Sequence, residues 1–179
     1  IRDGFNQYPP DRGIPELRLA VADHQDRFYG QQVDPDDVIV STGASEALGA
    51  AVMALVEPGQ EVIVFEPYFD LYAAVIELAG GVRRAVTLRT PDYSFDPAEL
   101  KAAINPSTRM IMVNTPHNPT GKVFSEAELG EIARLAIAHD LLVVTDEVYE
   151  HMTYDGTRHI PLATLPGMAE RTVTISSGG

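Results

Sequence analysis

Cysteine is absent from the 179 residues, which excludes disulfides, thiolate nucleophiles and cysteine-ligated metals within this sequence. Positive charge is scarce as well. Thirteen Lys and Arg stand against 26 Asp and Glu, a formal net charge of -13, and such a balance argues against a nucleic-acid surface and against anionic lipid. Long apolar runs are missing, so no segment reaches the roughly 20 residues that a membrane-spanning helix needs. The opening residues Ile1-Arg2-Asp3-Gly4 contain neither a basic n-region nor an apolar h-region. A small-molecule substrate and a cytoplasmic location are therefore expected, with no nucleic acid, membrane or metal. What is present, 45% hydrophobic and 22% charged residues, has the balance of a globular chain with one core. Neither end reads as a natural terminus, and the chain is expected to be an internal piece of a longer protein. A modified residue at position 180 is the other reading.

Apolar positions Leu17, Leu19, Ala20, Val21 and Phe28 predict an amphipathic helix that stops near Gly30. Short β-rich runs follow at Val38–Ser41, Glu61–Phe65, Arg83–Leu88, Met110–Val113, Leu141–Thr145 and Thr172–Ile175. Helical patterns lie among them at Ala44–Leu55, Phe69–Leu78, Pro97–Ala103 and Ser125–His139. The last opens on Ser125-Glu126-Ala127-Glu128, a capping-box match. Alternation of strand and helix predicts an α/β fold: a mostly parallel sheet with helices on both faces and ligands at the strand ends. No linker divides residues 1–179, and one domain is expected.

Gly43-Ala44-Ser45 follows an apolar run and opens a helix, so its free peptide N–H groups suit an anion, although ordinary strand-to-helix punctuation looks the same. Neither a Walker loop nor a hydrolase elbow fits there, because Gly-Lys-Ser/Thr is missing and no glycine follows Ser45 by two. Asp146 ends the apolar run Leu141–Thr145 and needs a partner there, either a protonated pyridine nitrogen or the peptide N–H groups of a helix start. Tyr149 could donate to an oxyanion or simply sit at a domain edge, and Phe69 could stack on an aromatic ligand or fill the core. Asn118-Pro119 could be cis, aiming the Asn118 amide into a site, or an ordinary turn. Glu147 to His151 approximates the inverted zinc motif, but Glu147 stands where that motif needs a histidine. His24, His117, His139 and His159 have no paired ligand spacing and read as surface or supporting residues.

Taken together, Asn114-Thr115-Pro116-His117-Asn118-Pro119-Thr120-Gly121-Lys122, Thr145-Asp146-Glu147-Val148-Tyr149 and Gly43-Ala44-Ser45 resemble the large domain of fold-type I pyridoxal-phosphate aminotransferases, class I/II, with an aspartate aminotransferase-like fold. Within that family the chain looks most like the kynurenine and glutamine transaminases and the N-succinyldiaminopimelate aminotransferases. The resemblance implies pyridoxal 5'-phosphate as cofactor, its phosphate held by Gly43, Ala44, Ser45 and Ser177 and its ring stacked on Phe69. It further implies that Asp146 pairs with the ring nitrogen, while Asn118 and Tyr149 bond the phenolic oxygen. Tyr8 would reach the partner subunit's phosphate, which implies a homodimer. Glu66-Pro67 and Asn118-Pro119 match cis positions. Lys101 and Lys122 do not match the Schiff-base lysine, which is expected directly after Gly179. The implied reaction moves an amino group from an L-amino acid to a 2-oxo acid, 2-oxoglutarate being the expected acceptor. A carbon–sulfur β-lyase and a non-catalytic cofactor-binding regulatory module are the alternatives.

Overall fold

The computed structural model describes residues 2–4 and 6–178 in two compact units, one ending at Gly43 and the other beginning at Ala44. Gly179 and the lysine expected after it lie outside the described residues.

In the first unit, Pro15 starts helix α1 (Pro15–Tyr29), where its missing N–H costs nothing, and Gly30 ends it in the left-handed conformation at φ 65°. Gly13 is required by space. At φ 95°, an added Cβ would lie 2.5 Å from the Val40 side chain. A 3-10 turn at Pro35–Asp37 is capped by the Asp34 side chain, which accepts from the Asp36 N–H at 2.8 Å. Arg18 reaches this turn through the Pro35 carbonyl at 2.8 Å and an ion pair with Asp36. The strand expected over Val38–Ser41 does not form. The Val40 N–H donates to the Arg12 carbonyl at 3.0 Å, but no ladder follows, and Ile39 is 71% exposed. β-branched residues alone do not make a strand when a single backbone bond is not continued into a ladder.

The second unit carries α2 (Ala44–Leu55), β1 (Glu61–Glu66), α3 (Leu71–Leu78), β2 (Val82–Thr87), α4 (Pro97–Ala103), β3 (Thr108–Asn114), α5 (Glu126–Ala138), β4 (Leu142–Asp146) and β5 (Thr172–Ile175). All pairings within this sheet are parallel, in the order β2-β1-β3-β4-β5. Strand order turns back between β1 and β3, and open parallel sheets of this kind bind ligands beyond the strand ends at such a point.

The period-2 alternation of strand side chains sorts the core into two faces. Ile63, Phe65, Ile111, Val113 and Val143 pack with Leu100 of α4 and with Leu129, Ile132 and Leu135 of α5. Val62, Val64, Met110, Met112 and Val144 pack with Leu48 and Val52 of α2 and with Tyr72, Val75 and Ile76 of α3. Each fully buried Leu or Ile contributes about 2 kcal/mol from the apolar surface it removes from water. Helix α5 begins with the capping box: the Ser125 N–H donates to Glu128 at 2.9 Å, and the Glu128 N–H donates to the Ser125 hydroxyl at 3.3 Å.

Polar staples hold the N-terminal ends of the strands. Glu61 accepts two bonds from Arg84, at 2.6 and 2.8 Å, and one from Asn105 at 2.6 Å. The Arg84 bond leads the effects that hold the Glu61 carboxyl below its usual range. Arg109, at the start of β3, donates to the Leu55 carbonyl at the end of α2. That bond places the end of α2 at the N-terminal end of the sheet, and with Leu48 and Val52 packed along the sheet face the helix runs antiparallel to the strands. Its 12 residues, rising about 1.5 Å each, carry Ala44 and Ser45 toward the opposite, C-terminal end of the sheet.

Candidate active site

Register brings Asn114, Asp146 and Ile175 level at the C-terminal ends of β3, β4 and β5. Alternation then decides where each side chain goes. Asp146 follows Val144 onto the α2/α3 face, whereas Thr145 and Glu147 turn to the α4/α5 face.

Asp146 is 5% exposed. Its Oδ2 accepts the Tyr72 hydroxyl at 2.6 Å, and its Oδ1 accepts the Val148 N–H at 3.4 Å. Among the described residues no cation pairs with it. Burial pushes its carboxyl up, and the Tyr72 bond pulls against that shift. Burial also leads the effects that push the Tyr72 phenol up, so at neutral pH Tyr72 is a donor.

Phe69 lies half-buried just before α3, three residues from Tyr72, with ring centroids 5.9 Å apart and planes at 90°. This edge-to-face contact is a favoured geometry for aromatic pairs. A half-buried ring beside a buried carboxylate without a cation is an arrangement that a flat, protonated heteroaromatic molecule would satisfy, stacking on one and donating to the other.

The segment after β3 is fixed by its own polar atoms. Asn114 donates its amide to the Asp146 carbonyl at 2.8 Å and accepts the Asn118 N–H at 2.6 Å. Asn118 is half-buried, and its carboxamide makes no hydrogen bond to another described residue, so both of its polar atoms are available to a ligand. The Glu66-Pro67 and Asn118-Pro119 bonds are cis, and so are Thr90-Pro91 and Thr115-Pro116. His117 is 3% exposed, with its Nδ1 2.8 Å from the Thr120 hydroxyl. Burial is the main cause that lowers its pKa to about 4, a hydrogen bond with the Phe65 backbone opposing it, so the ring is neutral at pH 7. His117 thus braces the loop after β3 from within, through the Thr120 hydroxyl and a ring contact with Phe124 at 6.3 Å.

Tyr149 sits half-buried in the turn that leaves β4. Glu147 anchors that turn. Its N–H donates to the Ile175 carbonyl at 2.8 Å, and its carboxylate takes the Thr145 hydroxyl at 3.0 Å and His159 Nε2 at 2.7 Å. Beyond β5, the Ser176 hydroxyl donates to Glu150 at 2.9 Å, and Ser177 is exposed.

Asp146, Phe69, Asn118 and Tyr149 therefore converge at the C-terminal strand ends, Ser177 follows β5, and Ala44 and Ser45 form the first turn of α2. Gly43, at φ 86°, and Tyr8, 99% exposed, belong to the N-terminal unit. Sequence reasoning missed Tyr72, the two bonds of Asn114, the His117 tie and the Glu147–His159 pair. Only for Tyr72 was a signal available: its spacing of three from Phe69 puts both on one side of a helical turn.

A family model described as aminotransferase class I and II matches residues 1–179. The chain belongs to this family. Its sequence is 49% identical to the solved N-succinyldiaminopimelate aminotransferase of Mycobacterium tuberculosis, with a TM-score of 0.95, over 98% of this chain and 47% of that one. Kynurenine--oxoglutarate transaminase 3 of Mus musculus is 41% identical over 99% of this chain and 41% of its own length. Methionine aminotransferase of Escherichia coli (strain K12) is 40% identical over 100% of this chain and 47% of its own length. The chain spans about half the length of the curated relatives it matches. Its parallel α/β sheet is likewise that of solved aspartate aminotransferases, such as a Thermus thermophilus variant with a TM-score of 0.92 at 39% identity. Class I/II aminotransferases use pyridoxal phosphate. No helix among the described residues is long and apolar enough to cross a membrane.

Proposed function

We propose that the protein is a pyridoxal-phosphate aminotransferase that moves an amino group from an L-amino acid to a 2-oxo acid, with 2-oxoglutarate as acceptor. The observation that carries this reading is Asp146: a buried carboxylate at a strand end, held by a phenol and one peptide N–H, with no cation among the described residues. The names of the relatives, all aminotransferases, support the activity.

When bound, pyridoxal phosphate supplies an electron sink for the substrate carbon that loses its proton. In this reading Asp146 holds the proton on the ring nitrogen through a charge-assisted bond, which keeps that sink effective. Phe69 stacks on the ring. Asn118 and Tyr149 bond the phenolic oxygen and set its charge. The peptide N–H groups of Ala44 and Ser45, with Gly43 just before them in sequence, hold the phosphate together with the Ser177 hydroxyl. Tyr8 serves the partner subunit's phosphate in a homodimer. A lysine following Gly179 moves the proton at the substrate carbon as general base and acid. The protein acts in the cytoplasm on small molecules.

Borohydride reduction of the full-length native protein, followed by peptide mass mapping, tests the reading. A pyridoxyl-modified lysine directly after Gly179 is expected, and an unmodified residue there would remove the catalytic assignment. The Asp146→Ala variant is expected to lose transamination while remaining folded, checked by single-turnover absorbance and circular dichroism. Near-normal turnover would take Asp146 out of its role.

A further inference from the structure

The Tyr72 hydroxyl is the shortest polar contact that Asp146 makes, and it spans 74 residues of sequence to join α3 to the end of β4. The same ring sets its face or edge against Phe69 at 90°, and its body is buried among Val75, Ile76 and Val144 in the α2/α3 core. Tyr72 therefore cannot move without moving both groups proposed to grip the cofactor ring. We propose that Tyr72 is a positioning residue whose hydroxyl fixes the Asp146 carboxylate and sets how that carboxylate shares a proton with the cofactor's ring nitrogen. This rests on the assignment of Asp146 given above.

The direction follows from simple chemistry. A carboxylate that accepts a strong hydrogen bond is a weaker base, so the shared proton stays on the ring nitrogen. Without the hydroxyl, Asp146 is more basic and draws that proton toward itself. The short bond to Asp146 and the raised Tyr72 pKa agree that the phenol keeps its own proton and donates it.

The Tyr72→Phe variant deletes the hydroxyl and keeps the ring against Phe69. In the full-length protein loaded with cofactor labelled with ¹⁵N at the ring nitrogen, the ¹⁵N resonance is expected to move from the pyridinium toward the neutral-pyridine position. In the cofactor-free protein, the proton affinity of Asp146, followed by ¹³C NMR of labelled aspartate, is expected to rise about tenfold or more, as loss of a hydrogen bond to a charged group implies. An unmoved ¹⁵N resonance in Tyr72→Phe overturns the proposal whatever happens to stability. Asp146→Asn is the control for the underlying assignment: its ¹⁵N resonance should lie at the neutral position, and a pyridinium signal there would refute Asp146 as the partner rather than Tyr72 as its support. Should Tyr72→Phe not fold, 3-fluorotyrosine placed at position 72 keeps the shape and strengthens the donor. The resonance should then move the opposite way, toward pyridinium, and no movement again overturns the proposal.

Discussion

Acidification should weaken the protein through His117, by an amount that the buried ring sets. In the folded chain this histidine protonates only near pH 4, because burial disfavours the charged form. An unfolded histidine takes up its proton near pH 6.5. Between those values the unfolded state binds more protons than the folded one, so stability falls as pH falls, starting at about 6.5 and continuing to about 4. Above 6.5 the histidine has no effect. At pH 4.5 the difference amounts to about 2.5 kcal/mol, since each pKa unit corresponds to about 1.4 kcal/mol. His117→Gln offers a neutral polar group to the Thr120 hydroxyl and cannot titrate, so its stability should depend less on pH over this window. Urea unfolding of wild type and variant, each at pH 7 and pH 4.5, isolates the histidine as a difference of differences and cancels the other titrating groups. Parallel pH dependences for the two proteins would refute the reasoning. A His117 NMR titration midpoint near 6.5 in the native protein would do so too.

Phe69→Ala should lower cofactor retention, measured by equilibrium dialysis, by more than it lowers the urea midpoint, because the ring is only half-buried; the reverse ranking would make Phe69 a core residue. Ser125→Ala removes the cap of α5 and one half of its capping box. It should cost about 1 kcal/mol in urea unfolding, and a change below a few tenths would show that Glu128 alone holds the helix start.

Five of the six β-rich runs and all five helical patterns became elements within about two residues of their expected ends. They were legible because each carries its own period and its own stop, as in the Ser125 capping box and the Gly30 cap. Val38–Ser41 has the right residue types but joins no ladder among the described residues, and partnership is not written locally. The same limit governs the site. Asp146, Phe69, Asn118 and Tyr149 were readable as single residues whose motifs fall at the ends of strands. The Tyr72–Asp146 bond joins groups that only the strand order brings together, and the Asn114 amide reaches from β3 to β4 for the same reason. His117 read as a surface or supporting histidine, because only the completed fold buries it to 3% exposed.

The two ends of the parallel sheet carry different kinds of bond, and that gives an engineer a map. Glu61, Arg84, Asn105 and Arg109 clamp the N-terminal ends with contacts that touch none of the residues proposed to grip a ligand. A fluorophore, an affinity handle or a new cross-link placed in the turns near Gln60 or Ser107 would sit a full strand length, about 20 Å, from Asp146. A chain without native cysteine is well suited to it, since one introduced thiol would be the sole point of attachment within these residues.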